Sequence, residues 1–260
     1  MAGTAPALEL RGIDMHYGYV RALDAVDFHV LPGEVVALLG DNGAGKSTLL
    51  KVMSGALRPT AGTTRVHGSE VEFHSPTDST KAGIQMVYQD LALVEAQDIA
   101  TNLAIGREIL RKGPLGWLGF VDKKAQRRRS QGELDRLGVR TAAMTRPVEM
   151  LSGGQRQVVA LARSATRVTG DTNGVLLLDE PTAALGYEQT KQVKVLIVRM
   201  ADQGIASVLV THNLPLALEV ASRIVVLNRG RKVAEVATAR TDNDQLVGWI
   251  TGARPSMFPA

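Results

Sequence analysis

Gly40 to Thr48 read GDNGAGKST, and Gly40, Gly45, Lys46 and Ser47 satisfy the pattern G-x-x-x-x-G-K-[ST]. Glycines at that spacing let main-chain N–H groups close around a phosphate, and the helix start behind them adds partial positive charge. In such a loop Lys46 neutralises β- and γ-phosphate oxygens, and the Ser47 hydroxyl takes a magnesium ion. Downstream, VLLLDE ends on Asp179 and Glu180. Acids at the carboxyl end of a parallel strand face the ligand crevice of an open α/β sheet. Asp179 suits the magnesium shell there, and Glu180 is placed to polarise water. His212, closing ASVLVTH, is by itself a strand-end histidine; beside the other groups it becomes a γ-phosphate contact. Gln89, ending IQMVYQ, could bring an amide to the magnesium and the attacking water. Together these residues point to Mg²⁺-dependent hydrolysis of a nucleoside triphosphate.

A second glycine-rich loop, LSGGQ at 151–155, also precedes a helical run. Its plain reading is a Ser-Gly cap that starts a helix. Its other reading is a second phosphate loop, although one Mg-nucleotide needs only one.

These groups require elements to hold them. VVALLG (35–40), VLLLDE (175–180) and ASVLVTH (206–212) are apolar runs without period-2 alternation, as strands covered on both faces read. Helical patterns follow each: KSTLLKVMSGAL, EQTKQVKVLIVRMADQG and LPLALEVASR, with Gly204 where the second would end. Alternation of this kind predicts an α/β fold with a mainly parallel sheet, and the GDNGAGKST motif at the end of its first strand makes that fold a P-loop nucleotidase. The opening LELRGIDMHYGYVRALDAVDFHVLPGE reads as short antiparallel strands. Residues of roughly 90–168 read as nearly all helical, including DIATNLAIGREILRK and, after Asp122 as N-cap, DKKAQRRRSQGELDRLG. The expected organisation is one domain over 1–260: a catalytic core from 1–89 and 169–260 with an antiparallel β part, and an inserted helical subdomain from 90–168.

The 260 residues are 45% hydrophobic and 22% charged, which suffices for a sizeable core. There is no cysteine, which excludes disulfides, Cys-ligated zinc and thiol catalysis. The N-terminus does not read as a signal peptide, and no apolar run approaches the ~20 residues that span a bilayer. The net charge of +4 gathers partly in Lys123, Lys124, Arg127, Arg128 and Arg129. Aromatic residues are only 4% and are not interleaved with these charges, so a solvated helix face is favoured over a nucleic-acid platform.

Taken together, the motifs resemble those of the ATP-binding cassette (ABC) transporter ATPase subunit, in the family's order and over nearly the whole chain. The resemblance implies an aromatic stack on adenine from Tyr17, with Tyr19 a near alternative. It implies an ATP cradle of Gly40, Asp41, Asn42, Gly43, Ala44, Gly45, Lys46, Ser47 and Thr48. Catalysis would fall to Glu180 as general base with His212, Gln89 and Lys46, and magnesium to Ser47, Gln89 and Asp179. Ser152, Gly153, Gly154 and Gln155 would form the signature that caps ATP held by a partner chain, hence a homodimer. After EPT the family commonly has S-A-L-D; here Ala183, Ala184, Leu185 and Gly186 stand, without the carboxylate.

EPTAALG, Asn213 after His212, and MVYQDLALVEAQDIATNLAIGREI look like the monosaccharide-importer branch in its single-cassette form. The expected role is ATP hydrolysis at the cytoplasmic face of a membrane, energising permease subunits fed by a solute-binding protein. The helical insert, including Leu91 to Leu103, is the expected docking surface. Import of another solute, such as branched-chain amino acids, and a soluble cassette acting on nucleic acid or the ribosome are the alternatives; no nucleic acid is expected.

Overall fold

A computed structural model describes residues 5–87, 91–139, 141, 143–168, 174–183 and 185–259. Two long strands come first, β1 (Leu8–Tyr17) and β2 (Val20–Val30), paired antiparallel from Leu8↔Val30 to Tyr17↔Val20. Strand β3 (Val35–Leu39) and helix α1 (Lys46–Met53) follow, then β4 (Ala61–Val66), β5 (Ser69–Val71), α2 (Pro76–Lys81) and β6 (Ile84–Val87). Helices α3 (Ile99–Ala104), α4 (Pro114–Trp117), α5 (Lys123–Arg136) and α6 (Gly153–Val168) lie between β6 and β7 (Val175–Asp179). The chain continues through α7 (Tyr187–Asp202), β8 (Ala206–Val210), α8 (Leu214–Val220), β9 (Arg223–Asn228), β10 (Arg231–Ala237) and α9 (Asn243–Thr251).

The strands make two sheets. One is antiparallel, in the order β2-β1-β4-β5; the other runs β10-β9-β3-β8-β7-β6 and is parallel except for the β9–β10 edge. β4 and β5 come after α1, so the opening stretch does not make the antiparallel sheet alone. β4 pairs with β1 from Leu8↔Val66 to Asp14↔Ala61, a long-range closure that local patterning cannot announce.

The central strands lack alternation because both faces are buried in different cores. Val35, Ala37 and Leu39 of β3 join the core packed with α6, α7, α8 and α9. Val36 and Leu38 join the core packed with α1 and the antiparallel sheet. Charged groups tie the two sheets together, among them Arg231 of β10 with Asp24 of β2. Arg223, at the start of β9, donates to both carboxylate oxygens of Glu34 (2.8 and 3.0 Å), to Glu235 on β10 (2.5 Å) and to the His29 carbonyl on β2 (2.8 Å).

The helix expected across DIATNLAIGREILRK stops at Ala104. Gly106 takes φ +76°, and Leu110 bridges Val121 while the Arg111 amide donates to the Phe120 carbonyl. Those cross-chain bonds replace the i→i−4 bonds of a continued helix. Asp122 caps α5, accepting from the Ala125 amide at 2.9 Å, and Gly204 (φ +85°) follows the end of α7. No helix among the described residues is long and apolar enough to cross a membrane.

Candidate functional site

Because β3, β7 and β8 run parallel and adjacent, their carboxyl ends share one edge. Leu38 pairs with Val210, and Val210 pairs with Asp179. The residues that follow, 40–48 from β3, Glu180 from β7 and Thr211–His212 from β8, therefore emerge side by side.

After β3 the chain turns through Gly40–Gly45 into α1. Gly45 adopts φ +104° as the N-cap, and a Cβ there would stand 2.8 Å from the Ala22 carbonyl oxygen. Only glycine allows that approach of the loop to the start of β2. Asp41 and Asn42 are exposed, Ala44 is buried, and Ser47 and Thr48 lie in the first turn of α1 with Ser47 exposed. Lys46 lies across the loop: its Nζ donates to the carbonyls of Gly40 (2.8 Å) and Asp41 (2.9 Å). Burial lowers its pKa, partly offset by the charges of Glu180, Asp41 and Asp179.

Asp179 ends β7, and burial together with the neighbouring charge of Glu180 raises its pKa above the usual carboxylate value. Glu180 holds φ +47°, a left-handed backbone that non-glycine residues adopt at a cost of order 1–3 kcal/mol. Its carboxylate is gripped on both oxygens. His212 Nδ1 donates to Oε1 at 2.9 Å, and Thr211 Oγ1 donates to Oε2 at 3.1 Å. The Thr211 hydroxyl accepts from the Asn213 amide at 3.1 Å, and the residue is 1% exposed. The His212 side chain is 80% exposed, so its ring is open toward solvent beyond that hydrogen bond. Thr211 was not singled out in the sequence; its signal was a hydroxyl next to a strand-end histidine, weak until β7 and β8 are known to be neighbours. Asn213 caps α8, accepting from the Leu216 amide at 3.0 Å.

Tyr17 ends β1 and is 46% exposed, and Tyr19 stands fully exposed in the turn beyond it. That hairpin rests on the glycine loop through Ala22 and Gly45. Gln89 and Ala184 lie outside the described residues.

The second glycine loop forms a reciprocal cap on α6. The Gln155 amide donates to Ser152 Oγ at 3.3 Å, and the Ser152 amide donates to Gln155 Oε1 at 3.0 Å. The plain helix-start reading therefore describes its local geometry, and the Gly153 and Gly154 amides lie in the first turn of α6, Gly153 exposed and Gly154 buried, where the first amides have no intrahelical partner. A Cβ on Gly154 would clash with the side chain of Gln189 in the first turn of α7, which keeps that position glycine. Gly186 is the N-cap of α7 and supplies no side-chain cap.

Helix α6 also organises the segment after β6. Arg163 donates to the carbonyls of Leu91 and Ala92, both at 2.8 Å, and Arg156 to Glu95 at 2.8 Å. Asn102, fully buried, accepts from the Val94 amide and donates to the carbonyls of Val94, Gln97 and Asp98. Among the described residues no cluster of three or more His, Asp or Glu could hold a metal by itself. A divalent cation at Ser47 and Asp179 would draw its other ligands from phosphate and water, as magnesium does.

The chain is 41% identical to the fructose import ATP-binding protein FrcA of Rhizobium meliloti over 251 residues, covering 96% of this chain and 95% of that one. It is 39% identical to the xylose/arabinose import ATP-binding protein XylG of Sulfolobus acidocaldarius, covering 94% and 93%. The ribose import ATP-binding protein RbsA 1 of Rubrobacter xylanophilus is 39% identical, with 95% of this chain covering 47% of that longer one. Among solved structures, the ADP conformation of MJ1267, an ATP-binding cassette of an ABC transporter, matches with a TM-score of 0.78 at 22% identity over 95% of this chain and 96% of that one. The dimeric cassette MJ0796 matches with a TM-score of 0.70 at 25% identity, covering 89% and 98%. Residues 23–183 match the family model for the ABC transporter, and with these likenesses the chain belongs to the ABC transporter family.

Proposed function

We propose that this chain is the ATP-hydrolysing subunit of a monosaccharide importer and works as a homodimer on permease subunits at the cytoplasmic face of a membrane. The observation that carries the reading is the convergence of Lys46, Asp179 and a doubly held Glu180 on one sheet edge. Fructose, xylose/arabinose and ribose import proteins as relatives support the cargo class.

The residues fit Mg-ATP. Lys46 places a cation across the phosphate loop, and burial together with the charge of Glu180 raises the pKa of Asp179, a cost to its ionised form that a bound cation would offset. Magnesium, held by Ser47, Asp179 and Gln89, would supply charge neutralisation on the phosphate oxygens. Glu180 accepts the proton of the attacking water, with its carboxylate aimed by Thr211 and His212. His212 also steadies the γ-phosphate, and Tyr17 stacks on the adenine. The second loop serves the other chain: the amides of Gly153 and Gly154, with Ser152 and Gln155, face the γ-phosphate on a partner's P-loop. Segment 91–103 is the docking surface for the permease, and its ties to Arg156 and Arg163 link docking to the signature helix. A solute-binding protein delivers cargo on the far side.

The test is ATPase activity of the chain assembled with the permease that co-purifies with it, in vesicles, with and without monosaccharides. Stimulation by a sugar that Glu180→Gln abolishes supports the reading. Hydrolysis that responds to branched-chain amino acids and to no sugar would reassign the cargo.

A further inference from the structure

The basic stretch of α5 is not used by the hydrolytic site. Arg128, Arg129 and Arg136 of this helix face a cavity of about 480 Å³ between the C-terminal half of α5, the end of α6 and the end of α7, while Arg127 pairs with Asp98 instead. Arg107, Arg128, Arg129 and Arg136 line it, against the single carboxylate of Glu133. Glu133 is shared: Arg129 Nε donates to it at 3.0 Å and Arg107 Nη2 lies 3.6 Å away. Arg128 and Arg136 have no acidic partner among the described residues. The Nε of Arg107 is buried without a hydrogen-bond partner, while its Nη atoms hold Thr166. Burial lowers the Arg107 pKa, the charge of Glu133 offsets this in part, and the charges of Arg129 and Arg167 add to the lowering.

A second observation concerns Gly132, in the same wall. Glycine weakens the interior of a helix, and α5 spans fourteen residues with Gly132 inside it. Its φ is not positive, and a Cβ there would meet nothing within 4 Å. Neither backbone conformation nor packing calls for glycine at this position. What the missing side chain does is keep the cavity wall open beside four guanidinium groups.

We propose that this cavity binds a small phosphorylated metabolite, with its phosphate against Arg128, Arg136 and Arg107 and its polar body along Gly132 and Gln203. Planar guanidinium forks match phosphate oxygens, and charge-assisted bonds of this kind are stronger than neutral ones. Gln203 spends its amide Nε2 on the Arg136 carbonyl at 2.8 Å, leaving its oxygen to accept from a hydroxyl. A ligand here spans α5 and the end of α7, two elements already joined through Gln203 and through Arg199 to the Leu137 and Gly138 carbonyls.

The experiment is calorimetric titration of the full chain with hexose 6-phosphate, with a saturating non-hydrolysable ATP analogue and Mg²⁺ present to keep the P-loop filled. The expected result is saturable binding that inorganic phosphate competes for and that unphosphorylated hexose does not reproduce. Arg128→Glu with Arg136→Glu should weaken it at least about tenfold, the scale of losing charge-assisted bonds. Gly132→Met, which favours the helix and fills the wall, should do the same while leaving affinity for the ATP analogue unchanged. Titration that shows no binding, or binding equal in all variants, overturns the proposal. So does a charge-reversal-sensitive preference for phosphatidylglycerol vesicles or a single-stranded oligonucleotide, which would give the arginines to a lipid surface or a nucleic acid instead.

Discussion

His212 Nδ1 donates to Glu180 Oε1 at 2.9 Å, across the adjacent ends of β8 and β7. With Thr211 on the other oxygen, the carboxylate has both positions set by one neighbouring strand end, and Glu180 itself holds a positive φ of +47°. Strain of this kind persists only where the surroundings over-determine it. Glu180→Gln should keep nucleotide affinity and slow hydrolysis by about 10²-fold or more, the scale of a lost general base. Single-turnover phosphate release measures this; a wild-type rate would remove Glu180 from the role.

Thr211→Val keeps shape and removes the hydroxyl that both fixes Oε2 and accepts from the Asn213 amide. Turnover should fall by about tenfold, as for loss of one hydrogen bond of 1–1.5 kcal/mol, with little change in KM. Thr211→Ser should restore most of the rate. Equal loss in both variants would point to packing in place of the hydroxyl.

Asp179 has a raised pKa from burial and the charge of Glu180. Its ionised form therefore costs stability in the nucleotide-free fold, a cost absent at acid pH and appearing as pH rises through the raised pKa. Asp179→Asn should show a higher Tm than wild type at pH 7 without nucleotide. The gap should close below the ordinary aspartate pKa of about 4. The same variant should lose the Mg²⁺-dependent part of stabilisation by ATP. Thermal denaturation across pH reads both, and a lower Tm at pH 7 would contradict the sign.

Arg223 bridges Glu34, Glu235 and the His29 carbonyl between the two sheets. Arg223→Met leaves Glu34 without a cation, while Glu235 keeps Lys232 at 2.8 Å. Such a broken pair costs about 3–5 kcal/mol, read by urea denaturation. A loss under 1 kcal/mol would mean that solvent already screens the cluster.

The buried strands and the glycine loop were legible because their signals are local: apolar runs between breakers, and a motif whose strand and helix flank it directly. The α5 cap at Asp122 was legible for the same reason. Residues whose roles depend on pairing were not. β4 and β5 complete a sheet begun about fifty residues earlier, Thr211 matters only because β8 lies beside β7, and the helical pattern beyond Ala104 yields to a bridge between Leu110 and Val121. LSGGQ shows the limit most clearly. Within one chain it is a Ser152–Gln155 capping box, and any second role depends on another copy.

That dependence is testable by mixing two inactive chains. Lys46→Ala damages a chain's own phosphate loop, and Ser152→Arg blocks the signature it offers to its partner. In a head-to-tail dimer of twofold symmetry, a mixed pair holds one site with both halves intact. Two such variants in equal amounts should regain up to about a quarter of wild-type ATPase, since half of random dimers are mixed and each carries one of two sites. A mixture no more active than the sum of the separate variants would contradict a site completed by the second chain.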